Sequence, residues 1–282
     1  MILFFLVLMC NKSIAQTQSH IDFNIPYGNN PEVGKRVEIN GAKIYFEEYG
    51  QGDPIMLIHG NGGDIFTMGN QIEYFKQKYR VIVADSRGQG KSELKTDSLT
   101  YSQIARDWEG LAQYLELDSV SIIGWSDGGI VGLIMGMNNN LKINKIVSMA
   151  ANLRPDSTAV HPWVIEIIEK EKQRVNSKIM ENDKTDNWNL KKQLLGLVSD
   201  QPKIELEDLS KIKAKVLIMA GDEDVIRSEH SIEIYENIKE AQLCIMPGET
   251  HMTPISNPEL FNEITYRFLS EPFKRPSSKI IK

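Results

Sequence analysis

The sequence predicts an α/β fold built on a mostly parallel eight-stranded sheet flanked by helices, with a small helical cap between strands six and seven. Three observations lead to it. From about residue 34 onward, short β-branched runs alternate with helix-forming segments, the pattern of strands joined by crossover helices. The later runs are almost unbroken in apolar residues, as strands covered on both faces require. The stretch 152–208 is too long for a structureless loop in a compact domain, and its charged, helix-forming composition, as in Val164-Ile165-Glu166-Ile167-Ile168-Glu169, predicts helices instead.

Taken in order, strands are expected at Arg36-Ile39, Lys43-Tyr49, Ile55-His59, Tyr79-Asp85, Val120-Trp125, Lys145-Ala150, Val216-Ala220 and Gln242-Met246. The first two flank Asn40-Gly41, a dipeptide that favours a tight hairpin turn, so the sheet is expected to be mixed at its start and parallel after it. The chain then divides into a signal segment over 1–15, a polar leader over 16–33, a core over 34–151 and 209–271, the cap over 152–208, and a basic, flexible tail over 272–282. No internal repeat interrupts this plan.

Composition narrows the function. With 41% hydrophobic and 25% charged residues, the chain has the make-up of a globular protein able to bury a sizeable core. A formal net charge of -6 offers no basic field for phosphates, which speaks against nucleic acid as a partner. Met1 to Met9 form an unbroken apolar run, and Ser13-Ile14-Ala15 supplies small-x-small spacing before Gln16; together they predict export to a secreted or periplasmic location. The run is too short to span a bilayer, so no stable membrane insertion is expected once it is removed. Cys10 suggests a lipid anchor, but Met9 stands where a small residue is expected. Cleavage at Gln16 would leave Cys244 as the one remaining cysteine, which excludes an internal disulfide and reads as a small buried hydrophobe.

The strongest chemical signal is Gly124-Trp125-Ser126-Asp127-Gly128, set between the run Val120-Ile123 and the helix-forming Gly129-Met137. A serine on a sharp strand-to-helix turn needs small neighbours because the backbone is crowded there, and its hydroxyl then projects from the sheet edge. The plain alternative is a glycine-rich turn with a serine helix cap. A second signal, His59-Gly60-Asn61-Gly62-Gly63, follows the third strand; the backbone N–H groups of Asn61 and Asp127 are candidates for an oxyanion hole. His59 itself is read as holding its loop in shape. A third, Asp85-Ser86-Arg87-Gly88-Gln89-Gly90-Lys91-Ser92, lacks phosphate-loop spacing and is read as a structural turn fixed by contacts of Asp85 and Arg87.

A nucleophilic serine needs a base and an orienting acid, and both lie further along the chain, acid first. Gly221-Asp222-Glu223-Asp224 follows the seventh expected strand and Pro247-Gly248-Glu249-Thr250-His251 the eighth, at the carboxyl edge where ligands bind in open α/β sheets. His20 lies in the leader, His161 in the cap and His230 in a helix-forming stretch, which leaves His251 as the base. Asp222, Glu223 and Asp224 crowd one turn, and position alone does not separate them.

With these landmarks in order, the chain resembles the α/β-hydrolase family from about Val37 to Leu269, on His59-Gly60, Asp85-x-Arg87-Gly88-x-Gly90-x-Ser92, Gly124-x-Ser126-x-Gly128, Gly221-x-x-Asp224 and His251. The resemblance implies Ser126 as nucleophile, Asp224 as acid, His251 as base, and the backbones of Asn61 and Asp127 as oxyanion donors. The segment Gly124 to Gly129 is most similar to the valacyclovirase, or biphenyl-hydrolase-like, branch, which cleaves esters of α-amino acids. That likeness makes Asp127 and Trp125, on either side of the nucleophile, candidate substrate contacts, with the Asp127 carboxylate facing an ammonium group. Haloalkane dehalogenases and epoxide hydrolases of this fold use an aspartate where this chain has Ser126.

The expected function is therefore hydrolysis of a small carboxylic ester through an acyl-enzyme, with a small-molecule substrate and no metal or organic cofactor. Hydrolysis of a carbon–carbon bond beside a ketone, or perhydrolysis, uses the same triad. A non-catalytic binding protein on the same fold is the alternative of another class, although such proteins usually lose a triad residue.

Overall fold

Eight strands form one sheet in the computed structural model, which describes residues 23–276. The expected signal segment, Cys10 and His20 lie outside the described residues. The strands are β1 (Lys35–Ile39), β2 (Ala42–Tyr49), β3 (Pro54–Ile58), β4 (Arg80–Ala84), β5 (Val120–Trp125), β6 (Ile143–Met149), β7 (Lys215–Glu223) and β8 (Ala241–Thr250). Their spatial order is β1-β2-β4-β3-β5-β6-β7-β8. β1 pairs with β2, and β2 with β4, antiparallel; every later pairing is parallel. All eight expected strands are present. The hairpin closes with Ile39 opposite Ala42, and its two loop residues Asn40 and Gly41 both take positive φ, as a two-residue turn matched to strand twist demands.

The helices are α1 (Gly69–Phe75), α2 (Tyr101–Tyr114), α3 (Asp127–Asn138), α4 (Pro162–Met180), α5 (Trp188–Asp200), α6 (Ser228–Asn237), α7 (Thr253–Ser256) and α8 (Pro258–Ser270). The central strands feed two cores in alternation. Met56, Ile82, Ile122, Ile146 and Ile218 face the helices α2 and α3, while Leu57, Val83, Ile123, Val147 and Met219 face α1 and α8. This period-two division explains why these strands read as continuous apolar runs rather than as alternating ones.

Between β6 and β7 lie α4, α5 and a short 3-10 turn over Leu206–Lys211. α4 turns Val164, Ile168 and Val175 inward at helical spacing. Leu194 and Leu197 of α5 join the main core, so this pair of helices is seated on the domain.

Two termini differ from expectation. The end of the expected polar leader is tightly packed: Tyr27 and Asn30 are buried, and the fully buried carboxylate of Glu47 accepts hydrogen bonds from the N–H groups of Gly28 and Asn30 and from the hydroxyls of Tyr45 and Tyr49. Four donors offset the cost of burying that charge, and they draw the segment onto β2. At the other end, Lys274 and Arg275 of the expected flexible tail are tied down. The Lys274 carbonyl accepts from Gln242 Nε2 at 2.6 Å, and Arg275 Nη1 donates to the Lys239 carbonyl at 2.6 Å. These contacts run beside the exposed edge of β8, which an unpaired edge strand benefits from having covered.

Candidate active site

The turn between β5 and α3 places Ser126 where its backbone is strained, with φ 57° and ψ −118°. A non-glycine residue pays for that conformation and keeps it only where the surroundings over-determine it. Here they do. Ser126 N–H donates to the Met149 carbonyl of β6 at 2.8 Å, and a Cβ on Gly128 would stand 2.0 Å from the Ile58 carbonyl of β3. Only glycine at 128 lets α3 leave the sheet so close to β3.

Two strands deliver the partners of Ser126. β7 and β8 stay paired beyond the body of the sheet, with Glu223 opposite Thr250 after an irregularity at Gly221. A Cβ on Gly221 would lie 2.1 Å from the Glu249 carbonyl, so this close approach requires glycine. The next residue on each strand end is a functional candidate. His251 Nδ1 is 2.7 Å from Asp224 Oδ1, and His251 Nε2 is 3.0 Å from Ser126 Oγ. Asp224 also accepts from the N–H groups of Ile226 at 3.1 Å and Gly221 at 3.4 Å, which fixes the carboxylate. With Nδ1–H donating to Asp224, Nε2 is left to accept from the serine hydroxyl. Such a relay can take a proton from a serine and return it to a leaving group. All three residues are at most 7% exposed, so the charge that develops is shielded from water.

The three crowded carboxylates part company in space. Asp224 is buried against His251, whereas Asp222 accepts from Gly248 N–H at 2.7 Å and Glu223 is exposed. Asp222 thus braces the β7–β8 ends, a different task from orienting the histidine.

The turn after β3 lies against the serine, since a Cβ on Gly60 would stand 3.1 Å from Ser126 Cβ. His59 holds this turn as expected of a structural histidine: Nδ1–H donates to the Gly60 carbonyl at 2.7 Å and Nε2 accepts from Ser86 N–H at 3.0 Å. Burial lowers its pKa, which keeps the ring neutral for both contacts. Gly62 N–H donates to Gln89 Oε1 at 2.6 Å. Asp127 is the first residue of α3, where the peptide N–H has no intrahelical acceptor and points toward the positive end of the helix dipole. The peptides of Asn61 and Asp127 thus flank the serine from two different elements.

The side chains of the two expected substrate contacts have other partners. Trp125 is buried, and its Nε1–H donates to the His251 carbonyl at 2.8 Å. Its single donor is spent on the backbone of His251, which makes it a support for that residue. The Asp127 carboxylate accepts from Asn61 Nδ2 at 2.9 Å and from Tyr101 Oη at 2.8 Å. Burial pushes its pKa up to about 6, against the pull of those two hydrogen bonds and of nearby His251. The same burial, with Asp127 alongside, raises that of Tyr101 well above the ordinary phenol value.

The Asp85 loop is a structural turn, as the sequence suggests. Arg87 is fully buried and forks onto Asp107 of α2, with Nε to Oδ2 at 2.6 Å and Nη2 to Oδ1 at 2.7 Å. Asp85 accepts from the N–H groups of Ile65 and Lys91. His230 Nε2 accepts from Leu153 N–H and its Nδ1 faces Glu233, so it serves the start of the helical insertion. Cys244 is half-buried and unpaired, and burial raises its pKa. Sequence reasoning missed Tyr101, Gln89 and the Leu194 carbonyl, which accepts from Asn61 Nδ2 at 3.0 Å. No local pattern marks them, because each reaches the site across the fold. Among the described residues, no helix is long and apolar enough to cross a membrane.

Known proteins share this arrangement of elements. Over 251 residues the chain is 25% identical to the human serine hydrolase BPHL, covering 83% of this chain and 85% of that one. It is 26% identical over 266 residues to the 2-hydroxy-6-oxo-6-(2'-aminophenyl)hexa-2,4-dienoic acid hydrolase of Metapseudomonas resinovorans, covering 84% and 91% of the two chains. Among solved structures, the bromoperoxidase of Bacillus anthracis superposes with a TM-score of 0.72 at 24% identity, over 84% of this chain and all of that one, a likeness of fold. Residues 53–205, more than half of the 282, match the family described as alpha/beta hydrolase fold. With the mixed sheet, the strained strand-to-helix turn and hydrolases among its relatives, the chain belongs to the alpha/beta hydrolase fold family of enzymes.

Proposed function

We propose that the protein is a serine hydrolase that cleaves a small carboxylic ester through an acyl-enzyme. The observation that carries this reading is the hydrogen-bonded sequence Ser126 Oγ, His251 Nε2, His251 Nδ1, Asp224 Oδ1, with separations of 3.0 Å and 2.7 Å. In the first half-reaction His251 Nε2 takes the serine proton as Oγ bonds to the ester carbonyl carbon. The negative charge moves to the carbonyl oxygen, where the N–H groups of Asn61 and Asp127 receive it. As the tetrahedral centre collapses, the carbon–oxygen bond to the alcohol breaks and His251 gives that oxygen its proton. Water, deprotonated by His251, then attacks the acyl carbon; the bond from that carbon to Oγ breaks, His251 returns the proton to Oγ, and the acid leaves. Asp224 holds the imidazole in orientation and steadies the imidazolium.

Labelling with a fluorophosphonate followed by mapping of the modified residue tests the assignment. Modification at Ser126 supports it, and an unlabelled protein that still turns over p-nitrophenyl esters overturns it. A second reading, hydrolysis of a carbon–carbon bond beside a ketone, is favoured by the likeness to the dienoic acid hydrolase. Parallel assays of aryl esters and of a vinylogous diketone separate the two. The resemblance of the segment Gly124 to Gly129 to the valacyclovirase branch also brings α-amino acid esters into the panel, against their des-amino analogues. We further propose that α4 and α5 form a cap over the substrate and that the protein is exported after cleavage before Gln16. N-terminal sequencing of protein from the native host decides the latter, and an intact Met1 in the cytoplasm removes it.

A further inference from the structure

We propose that the Asp127 carboxylate is a positioning group for the oxyanion turn: through the Asn61 side chain it fixes the Gly60-Asn61 peptide against Ser126, and it is not a receptor for a substrate cation. This rests on the reading of the protein as a serine hydrolase and assigns a role within that same site.

Asp127 is 5% exposed, and each of its oxygens already accepts a hydrogen bond from a different element, Asn61 Nδ2 at 2.9 Å and the Tyr101 hydroxyl at 2.8 Å. The Asn61 amide is equally committed. Its second acceptor is the Leu194 carbonyl of α5 at 3.0 Å, so both amide protons are used and the side chain has one orientation. Neighbouring contacts hold the turn on either side of Asn61, through the Gly60 carbonyl to His59 and the Gly62 N–H to Gln89. The Gly60 carbonyl and the Asn61 N–H offered to the oxyanion belong to one peptide, so His59 holds that peptide from its carbonyl side, and the remaining freedom at Asn61 is removed by its side chain. An ammonium group would have to reach a carboxylate that is almost fully buried and whose two oxygens are each already held by a donor of the protein. A misplacement of about 1 Å in such a site can cost on the order of a hundredfold in rate, which gives the brace a catalytic consequence.

Asparagine at 127 tests the brace because it can accept from Asn61 through Oδ1 and donate to the Tyr101 oxygen through Nδ2, keeping the geometry while losing the charge. The experiment measures kcat and KM on a neutral p-nitrophenyl ester for wild type, Asp127→Ala, Asp127→Asn, Asn61→Ala and the double alanine variant, with folding checked by circular dichroism. The inhibition constant of a trifluoromethyl ketone, which forms a tetrahedral serine adduct, is measured alongside. Asp127→Ala is expected to lower kcat about tenfold to a hundredfold with KM within about threefold, and to weaken the ketone by a similar factor. Asp127→Asn should regain most of that loss. Asn61→Ala, which keeps its peptide N–H, should reproduce it, and the double variant should be no worse than the poorer single one. Additive losses, an asparagine variant as poor as alanine, or a loss confined to α-amino acid esters would each overturn the proposal. If Asp127→Ala does not fold, an undiminished kcat in Asn61→Ala overturns it on its own. Failure of wild type to label at Ser126 instead removes the hydrolase reading on which the inference stands, a result separate from any of these.

Discussion

Trp125 Nε1 donates to the carbonyl oxygen of His251 at 2.8 Å, so the residue before Ser126 holds the peptide of the proposed base. The two rings lie tilted at 47° with centroids 6.1 Å apart, and the indole packs in the core behind the histidine. Trp125→Phe keeps most of the packing and removes the donor. It is expected to lower kcat about threefold to tenfold, the worth of one buried hydrogen bond of about 1 kcal/mol, with little change in KM. Steady-state kinetics on one ester checks this. A rise in KM at constant kcat would return Trp125 to the substrate wall.

Ser126→Ala is expected to lower kcat by several orders of magnitude with the fold intact, and His251→Ala to do nearly as much, because the members of such a relay act as a unit. Asp224→Asn should keep more activity than either. Asp222→Asn should cost little in rate, since Asp222 is exposed and accepts from Gly248 N–H, away from His251. Turnover of a p-nitrophenyl ester by the four variants decides the assignment, and a greater loss in Asp222→Asn than in Asp224→Asn would reverse the two carboxylates.

What was legible in the sequence follows from how local each cause is. The strands announce themselves because burial on both faces leaves runs such as Ile55 to Ile58 with no polar interruption, and the Asn40-Gly41 turn is encoded in two adjacent residues. The strained turn at Ser126 is legible because its crowding demands glycine within the same pentapeptide. Glu47 was opaque, because a carboxylate in a strand gives no sign that four donors from two segments will surround it. Asp127 was opaque in the same way. Its neighbours Asn61 and Tyr101 are separated from it by 66 and 26 residues, and only the fold brings them together.

Asp107→Ala is expected to destabilise the protein by about 3–5 kcal/mol, because it leaves the Arg87 guanidinium buried without its counter-charge. Arg87 has a fully buried side chain, and its remaining bonds go to the neutral carbonyls of Leu94, Ile39 and Asn40. Arg87→Lys should also lose stability, since an ammonium cannot make the paired contacts of the fork. Urea unfolding at constant pH measures both, and unchanged midpoints would show that the pair contributes little to the fold.

The raised pKa of Asp127 makes a signed prediction about stability. Burial lifts it from an ordinary 3.8 to about 6 in the folded protein. At pH values between these two, the folded state binds more protons at this group than the unfolded state does, so stability falls as pH rises through the window. Below it the carboxyl is neutral in both states and its contribution is fully present; above it the folded protein carries a buried charge that the unfolded chain solvates freely. The separation of the two values corresponds to about 1–3 kcal/mol. Asp127→Asn has no proton to lose and keeps the hydrogen-bonding shape, so the difference in unfolding free energy, wild type minus variant, should decline by that amount between pH 4 and pH 7. Urea titrations of both proteins across this range measure the difference, in which the ionisations they share cancel. A difference that stays constant would mean that Asn61 and Tyr101 hold the charge as well as water does, and one that grows with pH would mean that they hold it better.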